Sequence, residues 1–242
     1  MKNPPSKSID KVLALFVALL VGFGFLIFSS ASLGLLARDG ASFGSVATSQ
    51  FLFGIVGGGI ALFAMSQLHY RHLRRYAFYI FLLTVLLTLA VFIPGLGMTH
   101  GGATRWISIG GFTLQPAELL KLGFIIYVAT WLSGMRDVIT DTVKGTLPFV
   151  AIVGSVGFVM LLQPDTDTFL IMGAAAMAMF VTAGGRWRDV GLMFVSAVLL
   201  LAIVAMVRPY IMDRLTTFLH PERDPLGSGY QIQQSLIAVG SG

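Results

Sequence analysis

The sequence predicts an all-α, polytopic membrane protein with about seven transmembrane helices in a single membrane domain. Three observations predict it. Hydrophobic residues make up 56% of the 242 and charged residues only 11%, against about 25% charged in an average soluble domain. Long stretches almost free of Asp, Glu, Lys and Arg follow one another, each near the roughly 20 residues that cross a hydrocarbon core of about 30 Å. The basic residues between them cluster in alternate loops. With 0 cysteines, a disulfide scaffold, a zinc–thiolate site and a cysteine nucleophile are excluded.

The first span, 12–37, is too long for a signal-peptide core, has no evident cleavage site and is followed by further spans, so it is retained. The second, 47–67, contains Gly54 and Gly58 four apart, a spacing that lets helices approach closely in lipid. The third is 76–97. The fourth, 117–135, is preceded by an outer loop, 97–118, reading GMTHGGATRWISIGGFTLQPAE. The fifth, 145–164, and the sixth, 167–185, are joined by almost no loop; Ala174 and Ala178 repeat the small-residue spacing. The seventh, 189–208, leads into a second outer loop, 209–242. Loops of this length are usually functional or disordered, and their aromatic and amide content argues against disorder.

Orientation follows from Lys and Arg in the short loops. With the N-terminus in the cytoplasm, Lys2, Lys7, Lys11, Arg71, Arg74, Arg75, Arg136, Lys144, Arg186 and Arg188 lie inside, ten of the sixteen. The His69–Arg75 cluster therefore reads as a positive-inside anchor rather than a nucleic-acid site.

The fourth span carries a geometric argument. From Ala117 to Met135 it measures about 28 Å of helix, so Lys121, and with it Glu118, lies at or below the outer membrane boundary. The two are three apart and share a helix face. Ionisable residues at that depth are functional candidates; the competing reading is a snorkelling Lys with a structural partner. Asp165, in QPDTDT, either caps the sixth helix or points into the same cavity as Glu118 and Lys121. Arg105 beside Trp106 reads either as an interfacial belt or as an Arg that grips a phosphate-bearing ligand, and Arg214 resembles it. Glu222 and Asp224, among prolines, read as turn residues. No Walker A, HExxH or GxSxG sequence is present, which removes an ATP-driven pump, a metalloprotease of that type and a serine-elbow hydrolase.

The segments GGATRWISIGGFTLQPAELLKL, LLQPDTDT and RLTTFLHPERDPLGSGYQIQQSLIAVGSG resemble the SEDS family (shape, elongation, division and sporulation). Leu236, where the elongation branch usually has Lys, places the resemblance nearer the division branch. The resemblance implies a ten-helix inner-membrane protein, both ends cytoplasmic, that polymerises lipid II into glycan for septal cell-wall synthesis. It also implies work beside a class B penicillin-binding protein and other division proteins. The carried-over substrate-binding residues are Arg105, Trp106, Gln115, Glu118 and Lys121; Asp165; and, in the large loop, Arg214, Tyr230, Gln231, Gln234 and Ser235. The family's catalytic Asp and three further helices are expected beyond Gly242, so the chain reads as a fragment. Asp167 stands where the family usually has Gly. In the chemistry this implies, Arg105, Lys121 and Arg214 receive the leaving diphosphate, directly or with a divalent cation, and no resident metal or other cofactor is expected. A lipid II flippase and a non-catalytic scaffold are the alternative readings.

Overall fold

The computed structural model describes residues 10–39, 50–100, 103–109, 112–207 and 209–241. The chain divides into two compact units, Met1–His72 and Leu73–Gly242.

In the first unit α1 runs Lys11–Asp39. A π-helical stretch, Gln50–Gly57, leads directly into α2, Gly58–Gln67; residues 47–49 of the expected second span lie outside the described residues. Phe16, Leu20, Phe23 and Ile27 of α1 are all more than half exposed. In water this would be untenable, but against lipid tails no burial is required, because the solvent is as apolar as the side chain.

Helix α3, Tyr70–Leu89, starts three residues before the boundary and lies mostly in the second unit, extended by a 3₁₀ turn, Ala90–Phe92. The span expected at 76–97 thus lies at 70–92. Arg71, Arg74 and Arg75 are good helix formers, so a boundary drawn at the last charge omits the helix's first turns. Pro94 forces the preceding Ile93 into extended backbone, φ −73° and ψ 124°, and ends the helix there.

The expected outer loop 97–118 is not irregular, and here the chain departs from all-helical structure. Strands β1 (Gly97–His100), β2 (Ala103–Ile109) and β3 (Phe112–Leu114) form an antiparallel sheet in the order β1-β2-β3. Met98 pairs with Trp106 and Ile107 with Leu114, with a register shift after Met98. Gly97 lies so close to the Val91 carbonyl that no Cβ fits.

Helix α4, Pro116–Gly134, is the centre of the unit. Ala117, Leu120, Phe124, Val128 and Leu132 recur at three- and four-residue spacing and are buried on one face. They meet Val156 and Met160 of α5 (Leu147–Leu162) and Met172, Ala176 and Phe180 of α6 (Thr166–Thr182) in a single core. The Phe149 and Phe180 rings lie 4.7 Å apart and Phe81 stacks on Tyr127 at 4.8 Å. Helix α7 spans Trp187–Val207.

Among the described residues, the close approaches use other small residues than Gly58, Ala174 and Ala178. A Cβ on Gly58 would meet nothing within 4 Å, and Ala174 and Ala178 are exposed. Gly123 instead faces Thr84, and Gly157 lies against the Phe169 ring. Four-residue spacing marks one helix face without saying whether a helix or lipid covers it.

The expected loop 209–242 contains α8, Pro209–Leu219, a 3₁₀ turn, Pro221–Arg223, and α9, Tyr230–Gly240. As the sequence reading expected, Asp224 makes a turn, its carboxylate accepting from the N–H groups of Gly227 and Ser228 at 3.1 and 2.9 Å. The N–H of Glu222 itself, then the His220 side chain, hold the Glu222 carboxyl below its ordinary range.

Among the described residues, five helical segments are long and apolar enough to cross a membrane: Lys11–Ser30, Tyr70–Phe92, Pro116–Gly134, Thr142–Leu162 and Trp187–Val207. Gly54–Gln67 and Thr166–Thr182 are shorter apolar helices. The protein is a multi-pass membrane protein.

At the end away from the sheet, a π-helical turn, Thr142–Thr146, leads into α5. The Asp141 carboxylate caps it, accepting from Val143 N–H at 2.8 Å and Lys144 N–H at 3.0 Å. Those bonds, that from Lys144 the larger influence, hold its carboxyl below the ordinary range. Asp189 of α7, 2% exposed, accepts from the Thr146 hydroxyl at 2.8 Å and so joins the starts of α5 and α7. Gly145 permits this turn: a Cβ there would lie 2.6 and 2.7 Å from the Ile139 and Val138 carbonyl oxygens. Gly145→Ala is expected to destabilise the protein by about 1–3 kcal/mol. Gly154→Ala, whose Cβ meets nothing within 4 Å, should cost nothing, as thermal unfolding in detergent would show.

Candidate functional site

Polar side chains converge where the sheet meets the helix ends. Helices α3 and α5 finish at this end and α4 and α6 start there. The order of the chain therefore brings the end of α3, the sheet, the first turn of α4 and the α5–α6 turn together.

Alternation along β2 decides how Arg105 and Trp106 face. Ala103 and Ile107, two residues either side of Arg105, are 7% and 6% exposed. Arg105 shares their inward face, while Trp106, 37% exposed, takes the other. The Arg105 guanidinium reaches the α5–α6 turn, 58 residues further along the chain. Its Nε donates to the Gln163 carbonyl at 3.1 Å, Nη2 donates to the Pro164 carbonyl, and Nη1 lies 3.7 Å from Asp165 Oδ1. Three of its five N–H groups thus face protein oxygens.

Asp165 is 3% exposed and stands before α6, yet its side chain makes no capping bond. Its carboxylate is turned to Arg105 and accepts from Gln115 Nε2 at 3.3 Å. Of the two sequence readings, the cap is therefore set aside. The reason is electrostatic: a buried carboxylate needs an opposite charge and donors, and α6 starts within reach of both.

Gln163 belongs to the same turn, and sequence reasoning missed it. It is 1% exposed, and its Nε2 donates to the Thr88 carbonyl at 2.6 Å at the end of α3. The opposite amide orientation would set two oxygens against each other, so this one is fixed. An amide in the apolar run before Pro164 was the available signal.

Glu118 and Lys121 form the expected i,i+3 pair at 2.7 Å, with side chains 56% and 29% exposed. Glu118 sits in the first turn of α4, where the helix dipole favours an anion. The Glu118 N–H donates to the Gln115 carbonyl at 3.1 Å, but among the described residues no side-chain hydrogen bond or ion pair joins this pair to the Arg105–Asp165–Gln115 network. Arg214 of α8 pairs with Asp167 in the first turn of α6. On α9, Tyr230 is half-buried and Gln231, Gln234 and Ser235 are exposed. The Ser235 hydroxyl donates to the Gln231 carbonyl of its own helix at 2.8 Å. Among the described residues, no hydrogen bond or ion pair ties these four to the network around Arg105.

Together these features define a polytopic membrane protein with charged groups collected at one end of its helix bundle. The family model described as cell cycle protein, covering the FtsW, RodA and SpoVE proteins, matches residues 10–242, and the chain belongs to that family. It is 34% identical over 233 residues to the probable peptidoglycan glycosyltransferase FtsW of Idiomarina loihiensis, covering 96% of this chain and 56% of that one. It is 34% identical over 236 residues to stage V sporulation protein E of Bacillus subtilis, covering 96% and 63%. Its fold matches a chain in a structure of a peptidoglycan synthase complex that coordinates polymerization and crosslinking, with TM-score 0.72, 30% identity and coverage of 96% and 65%. It also matches the rod shape determining protein RodA of Thermus thermophilus, with TM-score 0.62, 26% identity and coverage of 81% and 61%. The chain spans little more than half the length of the curated relatives it matches.

Removing either member of the Arg105–Asp165 pair strands the other at low exposure. Arg105→Ala and Asp165→Ala are each expected to cost about 3 kcal/mol. The double variant should cost at least about 1 kcal/mol less than their sum, as read by a double-mutant cycle of unfolding in detergent.

Proposed function

We propose that this chain belongs to a peptidoglycan glycosyltransferase that polymerises lipid II during septal wall synthesis. The observation that carries the reading is the set of three cations at the sheet-bearing end, each beside a carboxylate on a membrane helix or its turn. They are Arg105 with Asp165, Lys121 with Glu118, and Arg214 with Asp167. In this reading that end faces outward and the N-terminus is cytoplasmic. A lipid-anchored diphosphate presents its charge at the membrane boundary, where these groups stand.

Glycosyl transfer needs a base for the acceptor hydroxyl and stabilisation of the leaving diphosphate. For the base, the family resemblance implies an acidic residue. The second need falls to this part of the chain. Arg105 retains two N–H groups beyond those facing protein oxygens, and its planar fork suits phosphate. Its existing contacts hold it in place before substrate arrives, which lowers the ordering cost of binding. Lys121 supplies a point charge oriented by Glu118. Among the described residues no three carboxylate or imidazole groups converge to hold a metal, so a divalent cation entering with the diphosphate would take most of its ligands from phosphate and water. The lipid tail lies between helices. The partner in this reading is a class B penicillin-binding protein at the division site, with other division proteins around it; the solved synthase complex supports the first of these.

The test is strand synthesis from lipid II by the purified full-length protein in detergent, where no membrane remains to cross. Polymer is expected, and no polymer would leave a flippase or a scaffold. Lys121→Ala and Arg105→Lys should each lower polymer yield more than about tenfold with membrane abundance unchanged. Yields within twofold of wild type for both would remove these residues from the mechanism.

A further inference from the structure

The α5–α6 turn and the first turn of α6 engage two arginines from distant outer segments. Asp165 takes Arg105 from the sheet, and Asp167 takes Arg214 from α8, 47 residues away. The first pair is largely buried. The second is open, with side chains 47% exposed for Arg214 and 63% for Asp167. Asp167 sits where the α6 dipole favours its charge. The mechanism above uses Arg214 and gives Asp167 no task.

Helices α8 and α9 are tied to each other and to the turn between them. The Thr217 hydroxyl donates to Ser228 Oγ at 3.1 Å, Gln233 Nε2 donates to the Pro221 carbonyl at 3.4 Å, and the Gly229 N–H donates to the Asp224 carbonyl at 3.0 Å. Gly229 is buried, and a Cβ there would collide with the Pro221 carbonyl. Helices α8 and α9 are therefore tied together through that turn. Among the described residues, Arg214–Asp167 is the ion pair that fastens them to a membrane helix.

We propose that Asp167 is a positioning residue: it docks α8 on the start of α6 and thereby presents Arg214 next to the turn that holds Arg105. The docking stands on the geometry alone. Its consequence for catalysis rests on the glycosyltransferase reading. An exposed pair contributes modestly, so the effect is graded rather than all-or-none, and salt weakens it.

The experiment is hydrogen exchange of residues 209–219 in the full-length protein in nanodiscs, run beside the lipid II assay. Asp167→Asn and Arg214→Gln should each speed exchange across α8 about two- to fivefold. Asp167→Glu should keep protection, and the exchanged pair Asp167→Arg with Arg214→Asp should restore it. In the assay Asp167→Asn should lower kcat/KM about threefold, Asp167→Glu should retain it, and the exchanged pair should not recover it, because a carboxylate at 214 cannot receive a diphosphate. Unchanged exchange in both single variants, or no restoration by the exchanged pair, overturns the docking. Faster exchange in the single variants without loss of kcat/KM overturns the presentation of Arg214. If wild type makes no polymer while the exchange pattern holds, the docking stands and the glycosyltransferase reading fails.

Discussion

A carboxylate buried to 3% exposure at the end of a membrane helix must be paired, and the arrangement of the sheet-bearing end depends on how Asp165 meets that demand. Its charge is met by Arg105 and its remaining acceptor capacity partly by Gln115. Arg105 is on β2, Gln115 immediately precedes α4, and Asp165 separates α5 from α6. One ionic contact thus fixes the sheet against two helix junctions. Gln163 adds the end of α3 through the Thr88 carbonyl. These contacts are worth more here than at a wet surface, because groups at this depth have fewer alternative partners in lipid and water.

Beneath that network the packing follows α4. Its buried face carries side chains from Ala117 through Leu132, and the neighbours approach closely where Gly123 meets Thr84 and Gly157 meets Phe169. Large apolar side chains on the outer faces, such as Phe158, Leu170 and Phe194, stay exposed. The core is therefore narrow and the lipid-facing surface wide, as expected where the solvent itself is apolar. Asp189 and Thr146 close the opposite end. The second unit is thus pinned by polar contacts at both ends and by apolar contacts between.

The SEDS resemblance seen in the sequence is matched by family membership over residues 10–242 and by the fold shared with RodA and with a chain of a peptidoglycan synthase complex. Within that frame the charged groups divide by exposure. Arg105–Asp165 is a preorganised, largely buried contact, whereas Lys121–Glu118 and Arg214–Asp167 are open enough to exchange a carboxylate for a ligand's oxygens. In the proposed reading these would be fixed charge that defines where a phosphate sits and yielding charge that admits it.

Much of the fold was legible in the sequence because its strongest signals are local. Long apolar runs marked the membrane helices, since length and composition alone decide whether a segment crosses lipid. Three-residue spacing joined Glu118 to Lys121, since helix geometry guarantees that neighbourhood. The motifs around Arg105, Gln115 and Asp165 marked segments that the fold brings together. What the sequence left open depends on contacts between residues far apart in the chain. The sheet at 97–114 was hidden because Gly-rich, short strands carry almost no periodic signal. The sequence left Asp165 either as a cap or as a group facing the cavity of Glu118 and Lys121; its pairing with Arg105 is a contact 60 residues long, and that of Arg214 with Asp167 one of 47. Only tertiary structure decides such pairs, because no local rule carries the direction in which β2 and α8 return to the ends of the helices.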